Sequence, residues 1–147
     1  MTLHMLSTRY FPMDHLDISH GELISSTSLM SIANGPFVLG LTTLRIIVLP
    51  IEDCALSYNA QKLTRLAYLY ISPCKGITKD AIVALDTHLN GLRMLFLRYV
   101  APLRGSAFKP NCQMPCLDTV FLKGCSGFSG RSVMSLVCGD LLPSILE

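Results

Sequence analysis

Leu66-Ala67-Tyr68-Leu69-Tyr70-Ile71-Ser72-Pro73-Cys74 and Leu117-Asp118-Thr119-Val120-Phe121-Leu122-Lys123-Gly124-Cys125 carry one pattern, L-x-x-L-x-L-x-x-C, with conservative exchanges. Leu92-Arg93-Met94-Leu95-Phe96-Leu97-Arg98-Tyr99-Val100 lies between them and has Val in the Cys place. The three starts, Leu66, Leu92 and Leu117, are nearly evenly spaced. The likeness runs on downstream. Ile77-Thr78, Ile82 and Leu85 follow Cys74 at the same offsets at which Phe128-Ser129, Val133 and Leu136 follow Cys125. A fixed period of this length marks a stacked repeat, because one such unit is too short to bury its own apolar face.

The six-residue centre of each unit alternates and is rich in Leu, Ile, Val and aromatic residues, so it reads as a short strand. Thr78 is placed to cap a helix by offering its hydroxyl to a free N–H of the first turn. Asp80 suits the positive end of that helix. Ile82, Leu85 and Leu89 fall on one helical face, and Asn90-Gly91 predicts a left-handed stop. Ser129 caps the equivalent helix after Cys125, with Val133, Leu136 and Val137 facing inward. The expected architecture is α/β: a right-handed β-α superhelical solenoid of about five coils, with a parallel sheet on the concave side and helices on the convex side. The best units are 66–91, 92–116 and 117–142, within a single domain spanning 1–147.

Upstream the pattern is looser. Leu44-Arg45-Ile46-Ile47-Val48-Leu49 fits one register, and Ile46-x-x-Leu49-x-Ile51-x-x-Cys54 fits another. The sequence does not choose between them. Met13-x-x-Leu16-x-Ile18-x-x-Gly21 is a degenerate terminal unit or no unit at all, which leaves 13–65 as degenerate coils. A further turn begins at Leu142-x-x-Ile145, and the open ends of the stack predict a fragment of a longer array.

Cys74 and Cys125 stand where the chain turns sharply out of a strand and leaves backbone polar groups facing the core. A small side chain with weak hydrogen-bonding capacity fits there without a large desolvation cost. Both thiols are read as structural.

These units resemble the cysteine-containing leucine-rich repeats of F-box proteins, whose pattern runs L-x-x-L-x-L-x-x-C-x-x-I-T-D-x-x-L-x-x-L, often followed by Cys-Pro-x-Leu. Leu66 to Leu85 matches most of it, with Lys79 in place of the Asp. Pro115-Cys116-Leu117 matches the Pro-x-Leu ending, and the likeness covers about Leu44 to Leu142. The resemblance implies a non-enzymatic module that recognises protein substrates for a ubiquitin ligase. No F-box is recognisable. Leu49-Pro50-Ile51-Glu52 has the letters of its start but lies inside the repeat zone with no helical apolar pattern after it. Adaptor binding is therefore not expected. The repeat region of a nucleotide-binding immune receptor, or a truncated gene product with no independent function, are the competing readings.

Because the pleat alternates, Leu69 and Ile71 point inward while Tyr68, Tyr70 and Ser72 point outward. The corresponding outward residues are Met94, Phe96 and Arg98, then Thr119, Phe121 and Lys123. In the first upstream register they are Ile46, Val48 and Pro50. Stacking sets Val48, Tyr70, Phe96 and Phe121 in one column, flanked by Arg98 and Lys123. An apolar column rimmed by basic residues is a candidate protein-binding stripe, with Tyr68, Tyr70, Met94, Phe96, Arg98, Thr119, Phe121 and Lys123 as its contact residues. The competing reading is a strand that is apolar on both faces because a flanking segment covers the outer one.

Composition narrows the function classes. Hydrophobic residues make up 50% of the 147, and charged residues only 15%, against roughly 25% in a typical soluble domain. That deficit fits apolar surface hidden against a partner. A net charge of +2 with scattered basic residues argues against a nucleic-acid groove or an anionic membrane surface. No apolar run is long enough for a membrane span. No signal peptide is recognisable at Met1. The six cysteines are therefore expected to be reduced thiols in a cytoplasmic or nuclear protein. Cys112-x-x-x-Cys116 has zinc-like spacing but no second pair, and His4, His15, His20 and His88 form no H-x-x-x-H pair. Gly124-x-x-Gly127-x-x-Gly130 lacks a following Lys and reads as turn chemistry. No metal, cofactor or catalytic residue is expected. The enzyme-class alternative is a Cys/His hydrolase built on Cys54, Cys112 or Cys138. The small-ligand alternative is a metabolite held between the repeat floor and a partner.

Overall fold

The computed structural model of the chain describes residues 13–21, 23–74, 76–100 and 114–125, with the backbone of 144–146. The period-two stretches form β1 His15–Asp17, β2 Thr43–Ile47, β3 Tyr68–Ser72, β4 Met94–Arg98, β5 Thr119–Lys123 and β6 Ser144–Leu146. These six strands make one wholly parallel sheet, in the order in which they occur in the chain. Leu16, Leu44, Leu69, Leu95, Val120 and Ile145 stand side by side, so each strand follows the last by nearly the same length of chain. The step from Leu16 to Leu44 is the longest.

Parallel neighbours require a crossover. Among the described residues three crossovers contain a helix: α1 Ser26–Ile32, α2 Asp53–Lys62 and α3 Lys79–His88. A short 3-10 turn, Pro36–Leu39, follows α1. The helices stack in chain order, α1 on α2 and α2 on α3. Between helices and sheet lies one continuous core, in which Leu44, Ile46, Leu69, Ile71, Leu95 and Leu97 of the strands meet Leu29, Leu56, Ile82 and Leu85 of the helices. The α/β class and the parallel sheet expected from the pattern are thus present.

Helix α3 follows its sequence closely. The Thr78 hydroxyl accepts from the Asp80 N–H at 3.2 Å, and Ile82, Leu85 and Leu89 are buried. Its end does not. Leu89 caps the helix at φ −102°, and neither Asn90 nor Gly91 takes a left-handed conformation. The Leu89 N–H bonds to the Leu85 carbonyl and the Leu92 N–H to the Leu89 carbonyl, so a tight turn replaces the predicted left-handed stop.

The upstream register differs from both expected frames. The unit is Leu41-x-x-Leu44-x-Ile46-x-x-Leu49, with all four residues buried. Ile46 therefore belongs to the core and Leu49 takes the Cys74 place. Cys54 lies instead in the first turn of α2, exposed. The physical reason is that Leu44 to Ile51 is almost continuously apolar, so several frames bury a plausible set. Only pairing with Leu69 selects among them. Leu16 and Ile18 are buried, and Leu16 stands beside Leu44. Ile145 of β6 stands beside Val120 of β5.

Where the chain leaves β1, β2, β4 and β5, the same register position is left-handed: His20 (φ 58°), Val48 (φ 56°), Tyr99 (φ 51°) and Gly124 (φ 67°). The N–H groups of His20, Val48 and Tyr99 bond to the carbonyls of Ile47, Ser72 and Lys123 on the next strand, at 2.8, 2.6 and 2.9 Å. Pro73 occupies this position after β3. Its ring holds φ in the negative range and it has no N–H to give, so the series breaks at that rung.

One residue further on, the two cysteines behave alike. Cys74 Sγ reaches the Ile46 carbonyl at 4.0 Å, and Cys125 Sγ reaches the Leu97 carbonyl at 3.5 Å. Ile46 and Leu97 are equivalent residues of the preceding units, so the same weak thiol bond recurs. Burial pushes both thiols above the ordinary pKa. The helix expected after Ser129 with Val133, Leu136 and Val137, together with Cys112, Cys138 and Leu142, lies outside the described residues.

Candidate binding face

The sheet face turned away from the core carries its side chains in files that run across the strands. The first file is His15, Thr43, Tyr68, Met94 and Thr119, and the second is Asp17, Arg45, Tyr70, Phe96 and Phe121. In the third file Ile47 lies beside Ser72, and Arg98 beside Lys123. All eight residues predicted from the sequence lie on this face. Tyr68, Tyr70, Met94, Phe96, Thr119 and Phe121 are half-buried, while Arg98 and Lys123 are exposed.

The rings of the second file touch in series. Tyr70 and Phe96 have centroids 5.8 Å apart, and Phe96 and Phe121 5.3 Å apart, with both pairs tilted. Tilted contacts at these separations suit the ring quadrupoles. The Tyr70 hydroxyl lies 3.4 Å from Met94 Sδ, which ties the first file to the second.

The upstream end of the file is not the expected Val48. Arg45 stands beside Tyr70, with its guanidinium carbon 5.5 Å from the ring centroid. Val48 is exposed at the left-handed strand exit, Ile46 is buried in the core, and Pro50 lies beyond the strand. A frame that begins at Leu41 rather than Leu44 accounts for all three. One repeat step upstream of Tyr70 lands on Arg45, and that spacing was the available signal. Arg45 Nε lies 3.5 Å from Asp17 Oδ2, so the file ends in an ion pair. The Ser19 hydroxyl holds the Asp17 carboxyl below its ordinary pKa, aided by the Ser19 N–H and the Arg45 charge against the opposing effect of burial.

His15, Thr43, Arg45, Tyr68 and Tyr70 line a shallow groove of about 410 Å³ at this end. His15 Nδ1 lies 3.2 Å from Asp14 Oδ1 in an exposed pair. At the opposite end of the face the charge balance changes. Among the described residues neither Arg98 nor Lys123 pairs with an acidic side chain, whereas Arg93 is engaged by Asp118 at 2.7 Å. The Arg98 guanidinium instead sits 5.0 Å from the Tyr99 ring centroid. The aromatic file therefore ends upstream in the Arg45–Asp17 ion pair, while Arg98 and Lys123 flank its downstream rings in the neighbouring file.

Cys54 lies 4.0 Å from the Glu52 carboxylate. Among the described residues no cluster of three His, Cys, Asp or Glu side chains has metal-binding geometry. No described helix is long and apolar enough to cross a membrane. Comparison with protein-family models and with curated proteins finds no match.

Proposed function

We propose that this chain is a run of leucine-rich repeats that recognises a protein partner through the outer face of its sheet and performs no chemistry of its own. The observation that carries the reading is the file of three rings, Tyr70, Phe96 and Phe121, in contact and half-exposed beside two cations without described acidic partners. Aromatic residues and Arg supply much of the binding energy at protein interfaces, the rings because they remove large areas from water while fixing few rotors, and Arg through its charged fork and planar stacking. The near-constant step from strand to strand and the repeated thiol-to-carbonyl bond support the repeat assignment. The likeness to the repeats of F-box proteins makes substrate presentation to a ubiquitin ligase the setting we favour, in the cytoplasm or nucleus.

The test is crosslinking followed by reconstitution. A photoreactive residue at position Met94 captures the partner, which is then purified and titrated against the unaltered chain and a Phe96→Ser/Phe121→Ser variant. We expect binding to fall at least about 100-fold in the variant, as two hot-spot truncations would require. Unchanged affinity in a variant with unaltered circular dichroism would place the partner elsewhere.

The groove at Arg45 favours a second reading, in which a small ligand bridges the face and its partner. In that case dialysed protein binds the purified partner weakly, and a small-molecule fraction of the lysate restores binding. An Arg45→Ala variant does not respond to that fraction.

A further inference from the structure

Resting on that recognition reading, we infer that the partner element is an amphipathic α-helix, lying along the aromatic file with an acidic flank against Arg98 and Lys123. Two observations specify it.

The first is spacing. The rings of the file repeat at 5.8 and 5.3 Å. An α-helix laid across the strands presents same-side residues i, i+4 and i+7 at a mean step of about 5.3 Å, close to its pitch. Each anchor then meets one ring or the notch between two. An extended peptide in the same direction presents alternate residues roughly 6.7 Å apart. Two steps along the file already put it about half a ring out of phase. The ring spacing thus matches a helix and mismatches a strand.

The second is charge. Arg98 and Lys123 are paired neighbours in the third file, two residues beyond Phe96 and Phe121 along their strands. They form a basic edge parallel to the aromatic file rather than at its end. The opposite edge, Tyr68, Met94 and Thr119, is uncharged, and the Arg93–Asp118 pair beside it is mutually neutralised. A helix about 10 Å across spans from the rings to that basic edge. Its flanking Glu or Asp side chains would there satisfy two exposed cations that lack described partners. Such rim pairs chiefly set orientation and specificity.

Three synthetic peptides test this on the full chain by fluorescence anisotropy. One is a stapled helix with Leu at i, i+4 and i+7 and Glu on one flank. The second replaces the Glu by Lys. The third has the same composition, with Leu at alternate positions and proline-bracketed ends that keep it extended. The acidic helix should bind at least about tenfold more tightly than either other peptide. Phe96→Ser/Phe121→Ser should abolish that binding, and Arg98→Glu/Lys123→Glu should transfer the preference to the Lys peptide. Circular dichroism checks that both variants stay folded. Equal or tighter binding of the extended peptide, lost in the Phe variant, overturns the helix and leaves the recognition reading standing. Binding of none of the peptides overturns the helix, and the crosslinked partner then decides the broader reading by itself. Concentration-dependent self-association that the Phe variant abolishes would assign the face to a second copy of the chain, which also overturns it.

Discussion

Asp53, the first residue of α2, accepts hydrogen bonds from both the backbone N–H (2.6 Å) and the hydroxyl of Thr78, the cap of the next helix. The Ser26 hydroxyl, on the first residue of α1, accepts from the Glu52 N–H at 3.1 Å in the same sense. The first residue of one helix thus satisfies the free N–H at the entrance of the following one. This couples neighbouring units at a second place besides the sheet and the core. Asp53→Ala should lower stability by about 1–2 kcal/mol, and Ser26→Ala by about 1 kcal/mol. Urea denaturation measures both. A double-mutant cycle of Asp53→Ala with Thr78→Val should show coupling, and strict additivity would mean that the contact carries no stability.

Asn59 makes the corresponding tie between helix bodies. It is buried, and its Nδ2 donates to the Leu29 carbonyl of α1 at 3.1 Å and to the Ala55 carbonyl at 2.8 Å. Asn59→Leu keeps the branched shape but is bulkier and leaves the Leu29 carbonyl without its donor, and should cost about 1–3 kcal/mol. Asn59→Asp should be worse at pH 7, because a carboxylate would face two carbonyl oxygens. That variant should recover part of its stability below about pH 5, where the protonated acid can donate again. Identical losses for Asp at both pH values would show that the amide is not acting as a donor.

The left-handed strand exits differ in how well their residues suit them. Val48 is β-branched at φ 56° and about half exposed, so its conformation is strained while its side chain buries little. Val48→Asn should raise stability by about 0.5–1 kcal/mol. Gly124 sits at φ 67° with the Tyr99 ring packed over its α-carbon. Gly124→Ala forces that ring aside and away from Arg98, and should cost about 1–2 kcal/mol. Thermal melts of the two variants should shift in opposite directions. A melting point lowered by Val48→Asn would contradict the strain argument.

The thiols should separate by environment. Cys54 and Cys116 are exposed and should react with a maleimide at pH 7, while buried Cys74 and half-buried Cys125 should react slowly. Burial raises the Cys74 pKa above 9.0 in the folded chain. The folded state therefore holds the Cys74 proton more tightly than the unfolded state. This contribution is complete below pH 9.0 and is lost as pH climbs toward the folded-state value. Stability should fall as pH rises past about 9, and Cys74→Ala, less stable at pH 7, should fall less steeply. Parallel curves for the two proteins would exclude Cys74 as the source.

Much of the face was legible in the sequence because a strand has period two. Once Leu69 and Ile71 are inside, Tyr68 and Tyr70 must be outside, and the repeat step carries the same assignment to Met94, Phe96, Thr119 and Phe121. Thr78 was legible as a cap because the hydroxyl needs only its own helix start. Arg45 was not. The run from Leu44 to Ile51 offers several frames that each bury an apolar set, and two plausible ones misplaced it.

The sequence by itself determined the spacing from strand to strand, the inside and outside of β3, β4 and β5, and the start of α3, because these depend on local contacts or on simple alternation. Tertiary structure alone decided the frame of β2, the Arg45–Asp17 end of the aromatic file, the helix-to-helix bonds of Asp53 and Asn59, and the strained φ of Val48. Each of these depends on a partner some 24–30 residues away in the chain, brought close by the parallel pairing of neighbouring strands and the packing of neighbouring helices. Apolar alternation cannot encode that, since a frame shifted along a continuous apolar run buries nearly as much surface. The sheet removes the ambiguity because Leu44 pairs with Leu69, and in that frame Leu41 and Leu49 are both buried.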